Sequence, residues 1–158
     1  IALKKQRPNW QVTGSDISAD AIQVAQKNVT LQKVEIPLIQ SDLFENFGNK
    51  RFDIIVSNPP YIAESEKKAM DQSVIQYEPH QALFAKEQGL AIYRQFSQQV
   101  SDHLNENGRL YCEFGYQQKE ELANLFTAAD HKYQVNFKKD VTGHDRMMCV
   151  TLDGEGKS

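Results

Sequence analysis

The chain has 158 residues, a formal net charge of −3, 40% hydrophobic and 25% charged residues, values ordinary for one globular domain. The lack of a basic excess weighs against a duplex-binding protein. With no apolar stretch long enough to span a bilayer and no visible signal peptide, a cytoplasmic location is expected. Cys112 and Cys149 form no CxxC pair, and His80, His103, His131 and His144 are scattered. No metal-ligand spacing exists, and two buried thiols in a reducing compartment are expected.

In chain order, Ile1 to Lys5 reads as the last turns of a helix, ended by Arg7-Pro8-Asn9. Residues 10–14 read as a short strand, with Trp10 a packing residue rather than a binding platform. Asp16 stands at the end of that strand, and Ser18 can cap the following helix, whose Ala21, Ile22, Ala25 and Val29 recur at helical spacing. Asp16 has two readings: an acceptor for both hydroxyls of a ribose, or a carboxylate assisting the helix N-terminus. Residues 34–40 predict an irregular or edge strand, interrupted by Pro37. Asp42 then stands at another strand end. Either it accepts from an adenine amine, with Leu43 and Phe44 against the ring, or it is a turn aspartate beside two core residues.

The rest of the chain is organised around Asn58-Pro59-Pro60-Tyr61. The run Arg51 to Ser57 before it reads as a buried parallel strand. Open α/β sheets place ligands at the C-terminal ends of such strands. Pro59 pushes Asn58 towards an extended backbone, and neither proline donates an N–H, so the loop presents mainly acceptors. The Asn58 side-chain oxygen and the Pro59 carbonyl can together accept both hydrogens of a planar –NH₂ group, with the Tyr61 ring lying against it. Such a grip favours a more tetrahedral nitrogen and aims its lone pair at an electrophile, by positioning rather than by a strong base. The plainer reading is a proline-rich turn after a strand.

Beyond the loop, Glu64 to Asp71 reads as a short helix or cover. Gln76-Tyr77-Glu78-Pro79-His80 with Ala82-Leu83-Phe84 reads as a lid, a substrate wall or a plain connection. Ile92, Phe96, Val100 and Leu104 predict a helix over residues 89–104, stopped by Asn105-Glu106-Asn107-Gly108. A strand over residues 109–115 follows, with Glu113 on the face opposite Leu110, Cys112 and Phe114 and in need of a partner if buried. A helix over residues 117–129 then presents Leu122, Leu125, Phe126 and Ala129 on one face. Residues 133–137 and 147–152 read as two strands whose joining segment is too short for a crossover, so they should be antiparallel. Asp153 to Ser158 reads as a disordered tail. This order predicts an α/β fold: a mainly parallel sheet with helices on both faces and a terminal antiparallel hairpin. In such a sheet the ends carrying Asp16, Asp42 and Asn58 can converge on one ligand.

The tetrapeptide resembles the motif of Rossmann-like class I S-adenosylmethionine-dependent methyltransferases that act on amide or exocyclic nitrogens. Ile62, Tyr77-Glu78-Pro79, Ala82-Leu83, Gly89-Leu90 with Tyr93, Glu113 with Gly115 and Gln118, and Lys139-Asp140 with Gly143, Asp145 and Arg146 occur in the order found in the HemK/PrmC family. That family methylates the glutamine side-chain amide in the Gly-Gly-Gln loop of peptide-chain release factors. The resemblance implies a catalytic domain over residues 1–152 with S-adenosyl-L-methionine as cofactor and a release factor as partner. It also implies no membrane partner, and nucleic acid only through a ribosome-associated substrate. Asp16 would hold the cofactor ribose, and Asp42 and Leu43 would border its adenine. Asn58 would meet both the reacting amide and the cofactor's methionine end. Pro59 would accept from the amide, with Pro60 and Tyr61 beside it. The family's first strand and glycine-rich loop have no counterpart here, so the chain reads as an N-terminally truncated fragment that alone binds cofactor weakly or not at all. The alternatives are an adenine or guanine exocyclic-amine methyltransferase acting on DNA or RNA, and a non-catalytic Rossmann-like fragment.

Overall fold

The computed structural model describes residues 1–60, 62–63, 84–85, 89–129 and 133–152. The chain divides into two compact units, Ile1–Lys50 and Arg51–Ser158.

In the first unit, helix α1 (Ala2–Gln6) leads to strand β1 (Gly14–Asp16), helix α2 (Ala19–Leu31) and strand β2 (Leu38–Gln40). β1 and β2 pair in parallel, Gly14 opposite Leu38 and Asp16 opposite Gln40. The cap expected at Ser18 is present: its hydroxyl accepts from the Ala21 N–H at 3.2 Å. Val29 is buried, with Ala21, Ile22 and Ala25 half-buried on the same face of α2.

The strand predicted over residues 10–14 begins only at Gly14, because the Pro8-Asn9 turn occupies the approach. The Pro8 and Trp10 carbonyls there accept from the Lys4 ammonium, each at 2.8 Å. Trp10 is exposed rather than packed. The strand predicted over residues 34–40 is reduced to the three residues after Pro37, which has no N–H to give a ladder; its carbonyl still accepts from Gly14 at 3.0 Å.

The second unit contains β3 (Phe52–Ser57), β4 (Ile62–Ala63), β5 (Phe84–Ala85), α3 (Ala91–His103), β6 (Leu104–Glu113), α4 (Lys119–Thr127), β7 (Tyr133–Lys139) and β8 (Asp145–Leu152). β4 and β5 make a small parallel pair of their own. The other four strands form a sheet in the order β3-β6-β8-β7. β3 and β6 are parallel, while β6–β8 and the terminal hairpin β7–β8 are antiparallel, as the short connection required.

The four residues Asn105 to Gly108 do not stop the chain between helix and strand as expected. They bulge within β6, whose register passes from Phe52–Leu104 to Ile54–Arg109. Gly108 is needed there: a Cβ would lie 2.8 Å from the Asn105 carbonyl oxygen and 2.9 Å from that of Phe52, and backbone does not give way.

One face of this sheet is the core. Leu110, Phe114, Met148 and Val150 are fully buried, with Cys112 beside them. α3 and α4 cover that face through Tyr93, Phe96, Val100, Leu122 and Phe126. The Tyr133 hydroxyl donates to the Ser97 carbonyl of α3 at 3.0 Å, while the Tyr133 ring meets Phe126 of α4 edge-on. Helices on both faces were expected; among the described elements of this unit they lie on one. On the opposite face Ile54, Val56 and Met147 are exposed.

Candidate functional site

The proposed site residues fall at the C-terminal edges of parallel strands, in both units. In the first unit, Asp16 ends β1 and is exposed. Its Oδ1 accepts from the Ser18 N–H at 2.8 Å, so one oxygen helps start α2 as the helix-terminus reading proposed. The carboxylate is nevertheless on the surface, at the strand end where a ribose diol would need acceptors. The two readings are compatible, one for each oxygen.

Asp42 lies at the same edge, just beyond β2, and is exposed. The turn that carries it is built by Ser41, to which the sequence analysis gave no role. Ser41 is buried, and its N–H donates to the Asp16 carbonyl at 3.0 Å, tying the two strand ends together. Its hydroxyl donates to the Leu43 carbonyl at 3.0 Å and accepts from the Asn46 N–H at 3.1 Å. The Asn46 side chain closes the turn on the Gln40 carbonyl at 2.8 Å. Leu43 is held at φ +42, a left-handed conformation that costs a leucine about 1–3 kcal/mol and persists only where its surroundings enforce it. A serine directly after a strand with an asparagine five residues on was the available signal. Phe44 is core, as one of the two readings held, while Leu43 is half-buried.

In the second unit, Asn58 follows β3 directly and is exposed, Pro59 is buried and Pro60 is half-buried. Pro59 is thus anchored in the protein while Asn58 before it faces solvent. Tyr61 lies outside the described residues, as do the stretches 64–83 and 86–88, with Tyr77-Glu78-Pro79, and the tail 153–158.

The neighbouring strand end is tied down from several sides. The buried Tyr93 hydroxyl donates to the Glu113 carbonyl at 2.6 Å. The Phe114 N–H donates to the Arg146 carbonyl at 3.0 Å, and its ring meets Phe137 edge-on. The Gln118 side chain accepts from the Gly115 N–H at 3.0 Å. Across the hairpin turn, Asp140 Oδ1 accepts from the Thr142 hydroxyl at 2.7 Å and from the N–H groups of Thr142 at 2.8 Å and His144 at 3.1 Å. Those bonds, the hydroxyl's first, hold the Asp140 carboxyl below its ordinary range. Lys119 bridges to Asp145 at 3.0 Å, and the Arg146 guanidinium lies over the Tyr116 ring at 5.6 Å. The signature residues between Glu113 and Arg146 therefore share one bracket around the end of β6.

No cluster of histidine, cysteine, aspartate or glutamate suited to a metal ion occurs among the described residues. In the first unit, the exposed Asp16 and Asp42 carboxylates are acceptors suited to hydroxyls or an amine; in the second, the exposed Asn58 amide is both an acceptor and a donor.

The element order is that of an α/β fold ending in an antiparallel hairpin. Two solved structures show the same fold. A methyltransferase from Pyrococcus furiosus superposes with a TM-score of 0.64 at 14% identity, over 96% of this chain and 66% of that one. An rRNA methylase from Streptococcus thermophilus superposes with a TM-score of 0.52 at 10% identity, over 90% of this chain and 73% of that one. The pattern of the methyltransferase small domain family matches residues 1–86, and the chain belongs to that family. Among curated relatives, the release factor glutamine methyltransferase of Lactococcus lactis is 44% identical over 150 residues, which is 95% of this chain and 55% of that protein. That of Streptococcus pneumoniae is 42% identical over 155 residues, 98% of this chain and 55% of the relative. The bifunctional methyltransferase of Rickettsia bellii is 41% identical over 155 residues, 96% of this chain and 28% of the relative. The chain thus spans about half the length of the first two.

Proposed function

We propose that this chain carries the catalytic site of a protein-glutamine N-methyltransferase, which moves a methyl group from S-adenosyl-L-methionine to a release factor's Gly-Gly-Gln glutamine amide. The observation that carries the reading is the exposed Asn58 amide at the end of β3, backed by the buried Pro59. The identities above 40% to relatives named for this reaction support it.

The chain's own residues do the following. The Asn58 Oδ1 and the Pro59 carbonyl accept the two hydrogens of the substrate amide, withdrawing its lone pair from conjugation and fixing its direction. Tyr61 packs on the amide plane. Asp16 binds the cofactor ribose through the oxygen not engaged with Ser18, and Asp42 with Leu43 borders the adenine. Bound there, the cofactor supplies an electrophilic methyl on a sulfonium. The pair of acceptors then holds the amide hydrogens while one proton is released to water. We place the reaction in the cytoplasm, consistent with the free thiols Cys112 and Cys149 and with the lack of a membrane-spanning helix among the described residues.

The deciding experiment incubates the intact enzyme with labelled cofactor, a release factor and, separately, nucleic acid. Label on the release-factor glutamine, abolished by Asn58→Ala, is expected. Label only on nucleic acid would transfer the site to the exocyclic-amine class.

A further inference from the structure

Glu113 belongs to the residues that carry the family resemblance, but neither they nor its place on the strand gives it a role beyond needing a partner if buried. It is exposed, and its position is informative. The last parallel pair of β3 and β6 is Ser57 opposite Cys112; Glu113 is the next and last residue of β6, and Asn58 is the first residue past the end of β3. Cys112 is buried among the core residues; side chains alternate along a strand, so Glu113 and Asn58 follow it onto the opposite face. Neighbouring strands lie about 4.8 Å apart, which leaves a carboxylate within one side chain's reach of whatever the Asn58 amide holds.

The backbone beneath that carboxylate is over-determined. The Glu113 carbonyl is held by the buried Tyr93 hydroxyl, the following N–H by the Arg146 carbonyl, and the following ring by the core. A fixed backbone under a solvent-facing acceptor is the form of a preorganised recognition group.

We infer that Glu113 is a substrate-orienting residue: its carboxylate accepts backbone N–H groups of the peptide that enters beside Asn58. This rests on the proposed function and narrows its substrate class. The two glycines before the target glutamine carry no side chains, so their N–H groups are open to a carboxylate at close range. A nucleic-acid substrate would instead bring phosphates towards the same negative charge, which repels them. The tetrapeptide does not distinguish an amide substrate from a base amine; Glu113 does.

The test is kinetic and uses the intact enzyme. Glu113→Ala is expected to raise KM for the release factor about tenfold or more, the loss of one hydrogen bond to a charged group. Cofactor Kd by calorimetry and Tm should stay at their parent values, because the side chain is on the surface. Glu113→Gln, which keeps one acceptor oxygen, should recover most of the loss. An unchanged KM in Glu113→Ala overturns the assignment, and so does a defect confined to cofactor Kd. If the parent enzyme methylates the release factor while Glu113→Ala is normal, this inference alone fails. If the parent labels only nucleic acid, the proposed function fails and the inference with it.

Discussion

Asn58 stands one residue past a strand with proline on its C-terminal side, and the consequences are local. Proline removes donors and restricts the residue before it, so the amide direction is set by covalent geometry more than by packing. Asp16 shows a different economy at the same scale. One carboxylate oxygen starts α2 by accepting from Ser18, and the proposal leaves the other for the cofactor. Asp16→Asn keeps an acceptor for the Ser18 N–H but sets an amide donor against a ribose hydroxyl. Cofactor affinity measured by calorimetry should fall about tenfold, the scale of a lost charge-assisted bond, while Tm should barely move. A variant with parent affinity would leave Asp16 as a helix-starting residue only.

At the scale of elements, two turns carry predictions. The bulge in β6 requires Gly108, whose added Cβ would meet two backbone oxygens. Gly108→Ala should cost about 1–3 kcal/mol, the range for forcing atoms into filled space, read as an earlier midpoint in urea unfolding. The β7–β8 turn is wound around Asp140. The folded chain holds this carboxyl below its ordinary range, so as pH falls the unfolded state takes up the proton first. The stabilisation is complete above the ordinary carboxylate pKa and is lost as pH drops through the lower folded value. Asp140→Asn should therefore lower Tm at neutral pH, with the gap to the parent closing as the buffer is acidified past that range. A gap that is constant with pH would assign the turn's stability to its backbone alone.

At the scale of the whole molecule each unit has its own buried residues, and the core of the second lies between one face of the four-stranded sheet and the pair α3 and α4. Cys112 sits inside it, and burial pushes its thiol well above the ordinary cysteine range. Cys149, on the neighbouring strand β8, is only half-buried. Alkylation followed by mass spectrometry should modify Cys149 first. Cys112 should react only as fast as the sheet opens, and denaturant should accelerate it steeply. Equal reactivity of the two thiols would mean that this core opens locally.

The residues alone were enough for whatever depends on neighbours along the chain. Ser18 as a cap, the apolar stripes of α2, α3 and α4, the antiparallel hairpin and the acceptor-rich Asn58-Pro59-Pro60 loop all follow from periodicity, capping chemistry and proline geometry, which act over a few bonds. What they left open depends on contacts distant in sequence. Asn105 to Gly108 look like a stop between helix and strand, yet pairing with β3 folds them into a bulge. Trp10 looks like a packing residue, but the turn before it has no core to offer. Ser41 acquires its role only because β1 comes to lie beside β2, and Glu113 only because β6 comes to lie beside β3. Register between strands is set by which apolar faces are buried together, a condition no single stretch contains.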